Sequence, residues 1–238
     1  MSTCSVTSRA TEFRIALVIF GLLAVLFVAF PQLDLAASGL FYRGDGQWTL
    51  NNESWWLKIP YRGLPRVGQG LLVVLLLLWL LSFRQRFPKL RARRALIGFL
   101  LVGGLLGPIL LVDATLKEHS GRTRPVNTVN FGGSKQFTPA FIPADQCQKN
   151  CSFVSGHVAT ASFIMAFGWL GAPAVRRRWL LASIAFGGLF ALVRMVPGGH
   201  FLSDTIFAWF ATYFSLWAAE WLFRRLGWLP ASGIKQTG

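Results

Sequence analysis

The stretch Arg84-Gln-Arg-Phe-Pro-Lys-Leu-Arg-Ala-Arg-Arg94 holds six basic residues and no acid, and it lies between two apolar runs, Val67–Phe83 and Ala95–Leu116. Two runs of near-membrane length joined by a short basic loop read as a hairpin of transmembrane helices whose turn faces the cytoplasm. Working outward, similar runs occur at Phe13–Phe30, His157–Ala174, Trp179–Val193 and Phe201–Phe223. The composition agrees: 53% of the 238 residues are hydrophobic and 14% charged, too little polar surface to cover a soluble core. Ten Trp and 21 Phe fit the same reading, with Trp48, Trp55, Trp56, Trp179 and Trp228 near run ends, where amphipathic rings favour the membrane interface. The expected architecture is all-α, a polytopic membrane protein of six transmembrane helices in one bundle, forming a single domain over residues 1–238.

The net charge of +15 does not point to nucleic acid, because the positive residues cluster in short loops instead of forming a stripe on a soluble surface. Besides 84–94, they gather at Arg176, Arg177 and Arg178 and at Arg224 and Arg225. The positive-inside rule puts these segments and both termini in the cytoplasm, and puts Pro31–Arg66, Lys117–Val154 and the turn Pro197–His200 on the outer side. The first run, followed by Leu35-Ala-Ala-Ser38, has some likeness to a signal peptide. Its length of about 18 residues exceeds the usual apolar signal core and favours a retained span. Cys147 and Cys151 both fall in the second outer loop, where an oxidising compartment allows a disulfide; Cys4 stands alone on the cytoplasmic tail.

Ionisable residues sit where the apolar runs end. Lys117 closes the third run, His157 opens the fourth, Arg194 closes the fifth, and His200 and Asp204 open the sixth. The six-span topology brings all of them to one outer face. A single Lys or Arg at a span end is commonly a snorkelling residue, but this many converging at one level, together with Arg124, indicates a site. Lys117, Arg122 and Arg124 lie within eight residues, and guanidinium forks match phosphate oxygens in pairs. Ser155-Gly156-His157 places a hydroxyl and a close-approach backbone at a helix N-terminus, which favours an anion. His200 and Asp204 stand at i and i+4, so the carboxylate can fix the imidazole tautomer and leave the other nitrogen as a nucleophile. His157, from the facing helix, suits a general acid. Asp113 sits one turn before Lys117 and pairs with it or with another site cation, while His119 reads as a solvated loop residue.

Lys117-Glu-His-Ser-Gly-Arg-Thr-Arg124-Pro125, Ser155-Gly-His157 and Arg194-Met-Val-Pro-Gly-Gly-His200-Phe-Leu-Ser-Asp204 resemble the three signature motifs of the type 2 phosphatidic acid phosphatase superfamily. The resemblance implies a metal-independent, cofactor-free lipid phosphatase. His200 would attack phosphorus and form a phosphohistidine, with Asp204 assisting and His157 protonating the leaving group. Lys117, Arg124, Ser155, Gly156 and Arg194 would hold the phosphate oxygens; Arg122 is not part of the signature. Val154 and Val193 stand where many members have Pro and Ser. The implied substrates are lipid A, undecaprenyl diphosphate, phosphatidylglycerol phosphate or another phospholipid such as phosphatidate. The implied location is a bacterial inner membrane with the site on the periplasmic face. Phe30-Pro-Gln-Leu-Asp34, Leu40-Phe-Tyr42 and Cys147–His157 are similar to the lipid A phosphatase branch. Two other readings share these residues: transfer of the phosphoryl group to a second lipid, and an anionic-lipid transporter that cleaves nothing. Transport sites usually lie near the midplane, whereas these residues gather at an interface. The outer segment Pro31–Arg66, with Trp48, Trp55, Trp56 and Tyr61, reads as an interfacial element or a lid.

Overall fold

The computed structural model describes residues 9–50 and 54–229, so Cys4 lies outside the described residues. The regular structure of the described residues is mainly helical: α1 (Arg9–Ala29), α2 (Gln32–Gly39), α3 (Trp55–Leu81), α4 (Pro88–Ala92), α5 (Arg94–His119), α6 (Gly156–Gly168), α7 (Pro173–Met195) and α8 (Leu202–Arg225), with a long, mostly irregular loop between α5 and α6. A small antiparallel hairpin, β1 (Tyr42–Gly44) with β2 (Gln47–Trp48), follows α2.

Among the described residues, four helices are long and apolar enough to cross a membrane: α1, α3, α5 and α7. This corrects the expectation of six. The run expected at His157–Ala174 folds as α6, whose apolar length ends at Gly168 in a 3₁₀ segment. At 1.5 Å per residue such a helix reaches roughly 20 Å, short of the roughly 30 Å of hydrocarbon. The run expected at Phe201–Phe223 becomes α8, which has the length but not the composition. More than half of its residues are buried, among them Ser203, Asp204, Thr205, Thr212, Ser215 and Glu220. A helix enclosed by protein can carry polar groups that a lipid-facing one cannot, so its sequence is less apolar than a span's.

The boundaries move as well. The second helix starts at Trp55 instead of Val67, because Pro60 and Pro65 are accommodated inside it. Its first three turns, which the sequence places in a loop, extend the helix to roughly 40 Å and carry it past the hydrocarbon to the site end. Arg176, Arg177 and Arg178 lie within the first turns of α7 and not in a loop before it. The second half of α5 winds as a π-helix over Leu105–Leu116 around Pro108. There α8 approaches so closely that a Cβ on Gly103 would stand 2.6 Å from the Leu216 side chain.

Val18, Leu22 and Val25 on α1, and Val73, Val74, Leu77 and Leu80 on α3, are exposed, as bilayer-facing residues must be. Inside, Phe27, Val112, Phe153, Val158, Phe190 and Phe207 pack one half of the core, and Phe99, Met165, Trp169, Tyr213, Leu216 and Phe223 the other. The second half is closed by charge: Arg176 binds Glu12 and lies 3.9 Å over Trp169, and Arg9 pairs with the buried Glu220. The first half carries the candidate site.

Candidate active site

The chain returns to the site end five times with chemistry-bearing residues. Lys117 comes from the last turn of α5, Arg124 from the loop after it, Ser155, Gly156 and His157 from the head of α6, Arg194 from the last turn of α7, and His200 and Asp204 from the start of α8. Lys117 Nζ lies 3.0 Å from Asp113 Oδ1. A Cβ on Gly156 would fall 2.6 Å from that oxygen and 3.0 Å from Lys117 Nζ, so a side chain there would push the ends of both side chains aside. Arg124 donates to the Asn150 carbonyl at 2.8 Å and to the Gly199 carbonyl at 3.3 Å, which ties the loop to the turn before His200. Arg194 is buried against Gly199, where a Cβ would meet its guanidinium at 2.5 Å.

His200 is buried, and its Nδ1 lies 2.8 Å from the Ser152 carbonyl oxygen. A carbonyl only accepts, so Nδ1 carries the proton and Nε2 holds the lone pair. Asp204 Oδ2 stands 3.6 Å from Nδ1, beyond hydrogen-bond reach. The backbone therefore fixes the tautomer, and the carboxylate acts on the ring through its charge. That carboxylate accepts from Ser152 Oγ at 2.5 Å, from the Phe201 N–H at 2.8 Å and from Arg122 Nη1 at 2.5 Å. Burial pushes it up, but Arg122, His200 and Ser152 outweigh burial and hold it below its usual range. Burial, with Arg124 and Arg194 nearby, lowers His200 to about 3, so the ring is neutral at ordinary pH.

His157 sits against α3, where its ring stacks on Tyr61 at 4.8 Å and its Nε2 donates to the Tyr61 carbonyl at 2.8 Å. Arg194 also lies 4.5 Å over the same tyrosine ring. Burial lowers His157 to about 4, helped by the positive charges of Arg194, Lys117 and Arg124. Burial likewise lowers the Arg124 guanidinium.

Among the buried polar side-chain atoms without a hydrogen-bond partner at this end are Ser155 Oγ, Arg194 Nε and Arg194 Nη1 of the motif residues, together with Trp48 Nε1, Ser120 Oγ and Thr138 Oγ1 around them. Unpaired buried donors cost free energy unless a ligand completes them. With Lys117 and Arg124 alongside, the donors of Ser155 and Arg194 form a cradle that suits a tetrahedral oxyanion. Among the described residues no group of three or more His, Cys, Asp or Glu is placed to hold a metal ion.

All eight residues singled out for catalysis or phosphate binding thus meet at one end of the bundle. Arg122 does not join the phosphate set: it is buried, and its guanidinium donates to Asp34, Asp204, Ser203 and the Thr138 carbonyl. His119 bonds the Thr115 carbonyl and stays exposed. Cys147 and Cys151 form a disulfide, with Cα atoms 5.6 Å apart, in the loop that supplies Asn150 and Ser152. Sequence reasoning did not assign roles to Tyr61, Asn150, Ser152, Ser203 or Asp34. Tyr61, Asn150 and Ser152 contribute a ring face or backbone carbonyls, which leave no mark in residue type, while Asp34, Ser203 and the Ser152 hydroxyl act through side chains that meet the site only across long stretches of chain. Trp48 closes over the turn at Gly198, whose φ of +68° and contact with the indole both exclude a side chain.

Comparison with known proteins gives the same family as the motifs. The PAP2 superfamily model matches residues 95–228. The chain is 36% identical over 207 residues to a lipid A 4'-phosphatase of Francisella tularensis subsp. novicida (strain U112), covering 84% of this chain and 90% of that one. It is 33% identical over 205 residues to a lipid A 4'-phosphatase of Rhizobium leguminosarum, covering 81% and 88%. A lipid A 4'-phosphatase of Rhizobium etli is 35% identical over 213 residues, covering 81% and 79%. No solved structure gives a significant match. With the motif residues gathered in one cradle and the matches extending over most of its length, the chain belongs to the PAP2 superfamily, as a multi-pass membrane phosphatase acting on a phosphate group of a membrane lipid.

Proposed function

We propose that the protein removes a phosphate monoester from lipid A in a bacterial inner membrane, without a metal, through a phosphohistidine on His200. The observation that carries this reading is the set of buried, unpartnered donors, Ser155 Oγ with Arg194 Nε and Nη1, beside a neutral histidine whose Nδ1 is already engaged. Lipid A is favoured among the phospholipid and polyprenyl diphosphate candidates because three relatives covering most of the chain carry that substrate in their names. The basic segments Arg84–Arg94, Arg176–Arg178 and Arg224–Arg225 support cytoplasmic termini and a periplasmic site. Residues 1–238 act as one domain in this reading.

In the proposed reaction Lys117, Arg124, Arg194, Ser155 and the Gly156 backbone hold the phosphate oxygens and stabilise the charge that develops on them. Nε2 of His200 forms a bond to phosphorus as the bond to the sugar oxygen breaks. The positive charge arising on the ring is balanced by Asp204 at 3.6 Å. His157 gives a proton to the departing oxygen. Its Nε2 already donates to the Tyr61 carbonyl, so Nδ1 is the nitrogen that carries the transferred proton. Without substrate His157 is neutral; the charge of a bound phosphate dianion raises its affinity for a proton, which the ring takes up from water on binding. Water then attacks phosphorus and returns a proton to His157 as the N–P bond breaks. This leaves inorganic phosphate and both histidines as they began.

The test is phosphate release by the detergent-purified protein from lipid A, undecaprenyl diphosphate, phosphatidylglycerol phosphate and phosphatidate, with mass spectrometry of the lipid product. Lipid A is expected to lose one phosphate, and His200→Ala to lose all turnover while remaining folded. Vanadate should inhibit and a chelator should not. Turnover by His200→Ala, or strict dependence on added divalent metal, would sink this mechanism. Transfer of the label to a second lipid in place of water would identify the phosphotransferase.

A further inference from the structure

We propose that Asp34, on a helix outside residues 95–228 matched by the superfamily model, is a positioning residue for the His200–Asp204 pair, acting through Arg122 and Ser203. The inference rests on the reading of His200 as nucleophile. Asp34 lies on α2, and the match to the superfamily model begins only at residue 95. Its carboxylate is nevertheless fully buried against the start of α8. Oδ1 accepts from the Ser203 N–H at 2.8 Å, and Oδ2 accepts from Ser203 Oγ at 2.6 Å and from Arg122 Nη2 at 2.7 Å. Arg122 Nη1 in turn donates to Ser203 Oγ at 2.8 Å and to Asp204 Oδ1 at 2.5 Å. The guanidinium is clamped further by the Thr138 carbonyl at 2.8 Å and lies 4.4 Å over the Phe201 ring.

This arrangement does two things that a lone Arg122–Asp204 pair would not. First, Asp34 satisfies a first-turn N–H of α8, which sets the position of the helix start that carries His200 and Asp204. Second, it shares the one cation between two carboxylates. An Asp204 neutralised by its own arginine would present little charge to His200. Burial, with the Asp204 charge, pushes the Asp34 carboxyl up, while Arg122 and Ser203 pull it down; with Asp34 ionised the three groups sum to one negative charge, so the field at Nδ1 survives. A phosphohistidine, whose ring is cationic, needs that field.

The experiment compares Asp34→Asn, Asp34→Glu, Ser203→Ala and His200→Ala for kcat and KM on the same lipid phosphate. It also measures the folded fraction, by size exclusion and far-UV circular dichroism, and the alkali-stable phosphoryl label trapped on the protein. Asp34→Asn keeps the volume and an acceptor for Ser203 but loses the charge. It should lower kcat per folded molecule roughly tenfold or more, with KM within about twofold and slower labelling, and Asp34→Glu should recover part of the loss. Ser203→Ala, which removes the bridging hydroxyl and leaves both charges, should lose less. Wild-type kcat per folded Asp34→Asn molecule would overturn the proposal, as would a loss explained wholly by unfolded protein. If Asp34→Asn does not fold, unchanged kcat per folded molecule in Ser203→Ala overturns it equally. Turnover by His200→Ala would instead remove the underlying reading of the nucleophile, whatever Asp34 does.

Discussion

At the scale of single residues, the site is built from donors without acceptors. Ser155 and Arg194 are buried and unpaired among the motif residues, where the proposed phosphate would supply the acceptors they lack. Ser155→Ala removes one such donor and should lower kcat roughly a hundredfold, with little change in thermal stability, because the lost hydroxyl had no partner to leave behind. Gly156→Ala should be as damaging for a different reason. The added methyl would stand 2.6 Å from Asp113 Oδ1 and 3.0 Å from Lys117 Nζ, so Asp113 must shift and its ion pair with the lysine must rearrange. Steady-state kinetics beside a melting curve separates both variants from a folding defect. Glycine at this position was legible as a close-approach residue, but what it approaches was not. The Asp113–Lys117 pair lies more than thirty residues upstream and meets α6 only in the fold.

At the scale of elements, α3 changes character most. Its first three turns read as a loop because Pro60 and Pro65 interrupt them, yet the helix continues through both and brings Tyr61 to the site. The tyrosine ring is packed between His157 and Arg194, and its carbonyl accepts from His157. The phenol hydroxyl has no part in either contact, so Tyr61→Phe should leave kcat close to wild type. Tyr61→Leu loses the stack and the cation–π contact, worth about 0.5–2 kcal/mol, and should lower kcat/KM by roughly two- to thirtyfold. Equal effects of the two substitutions would show that the ring face does not matter. The outer segment is thus neither a plain lid nor an interfacial helix alone, since its helical part packs Tyr61 against His157 and Arg194 of the candidate site. Trp55 and Trp56, exposed and stacked at 4.0 Å, occupy the end of α3 beyond its apolar length.

At the scale of the molecule, two histidines are held neutral by burial within a positive site. Their folded-state values, about 3 for His200 and about 4 for His157, lie below the 6.5 of an unperturbed imidazole. Above pH 6.5 both the folded and the unfolded chain hold neutral rings, and stability is fully present. As pH falls below 6.5 the unfolded chain takes up protons that the folded one refuses, so stability drops until the pH reaches the folded values. Each histidine contributes up to about 1.4 kcal/mol per pH unit across that window. Thermal unfolding in detergent from pH 7.5 to pH 4.5 should show this decline, and His200→Gln should flatten it by about half. A melting temperature independent of pH in this range would contradict the burial of the two rings. A cradle of cations filled by phosphate reverses the electrostatics, so saturating vanadate or phosphate should reduce the slope.

The sequence by itself determined that the chain is an α-helical membrane protein and which residues would share one end of it. Apolar length, basic loops and the spacing of Lys117, Arg124, His157, Arg194, His200 and Asp204 are local properties written in order along the chain. The number of helices fit to cross a membrane was not so written. Apolar runs mark helices that face lipid and helices that face protein alike, and only packing shows that α8 is enclosed enough to hold Glu220 and Asp204 while α6 stops short at Gly168. The same limit applies to chemistry. The tautomer of His200 is set by the Ser152 carbonyl, and the charge on Asp204 by an arginine shared with Asp34 across 170 residues of chain. Backbone acceptors and long-range ion pairs have no residue signature, so tertiary structure alone decided them.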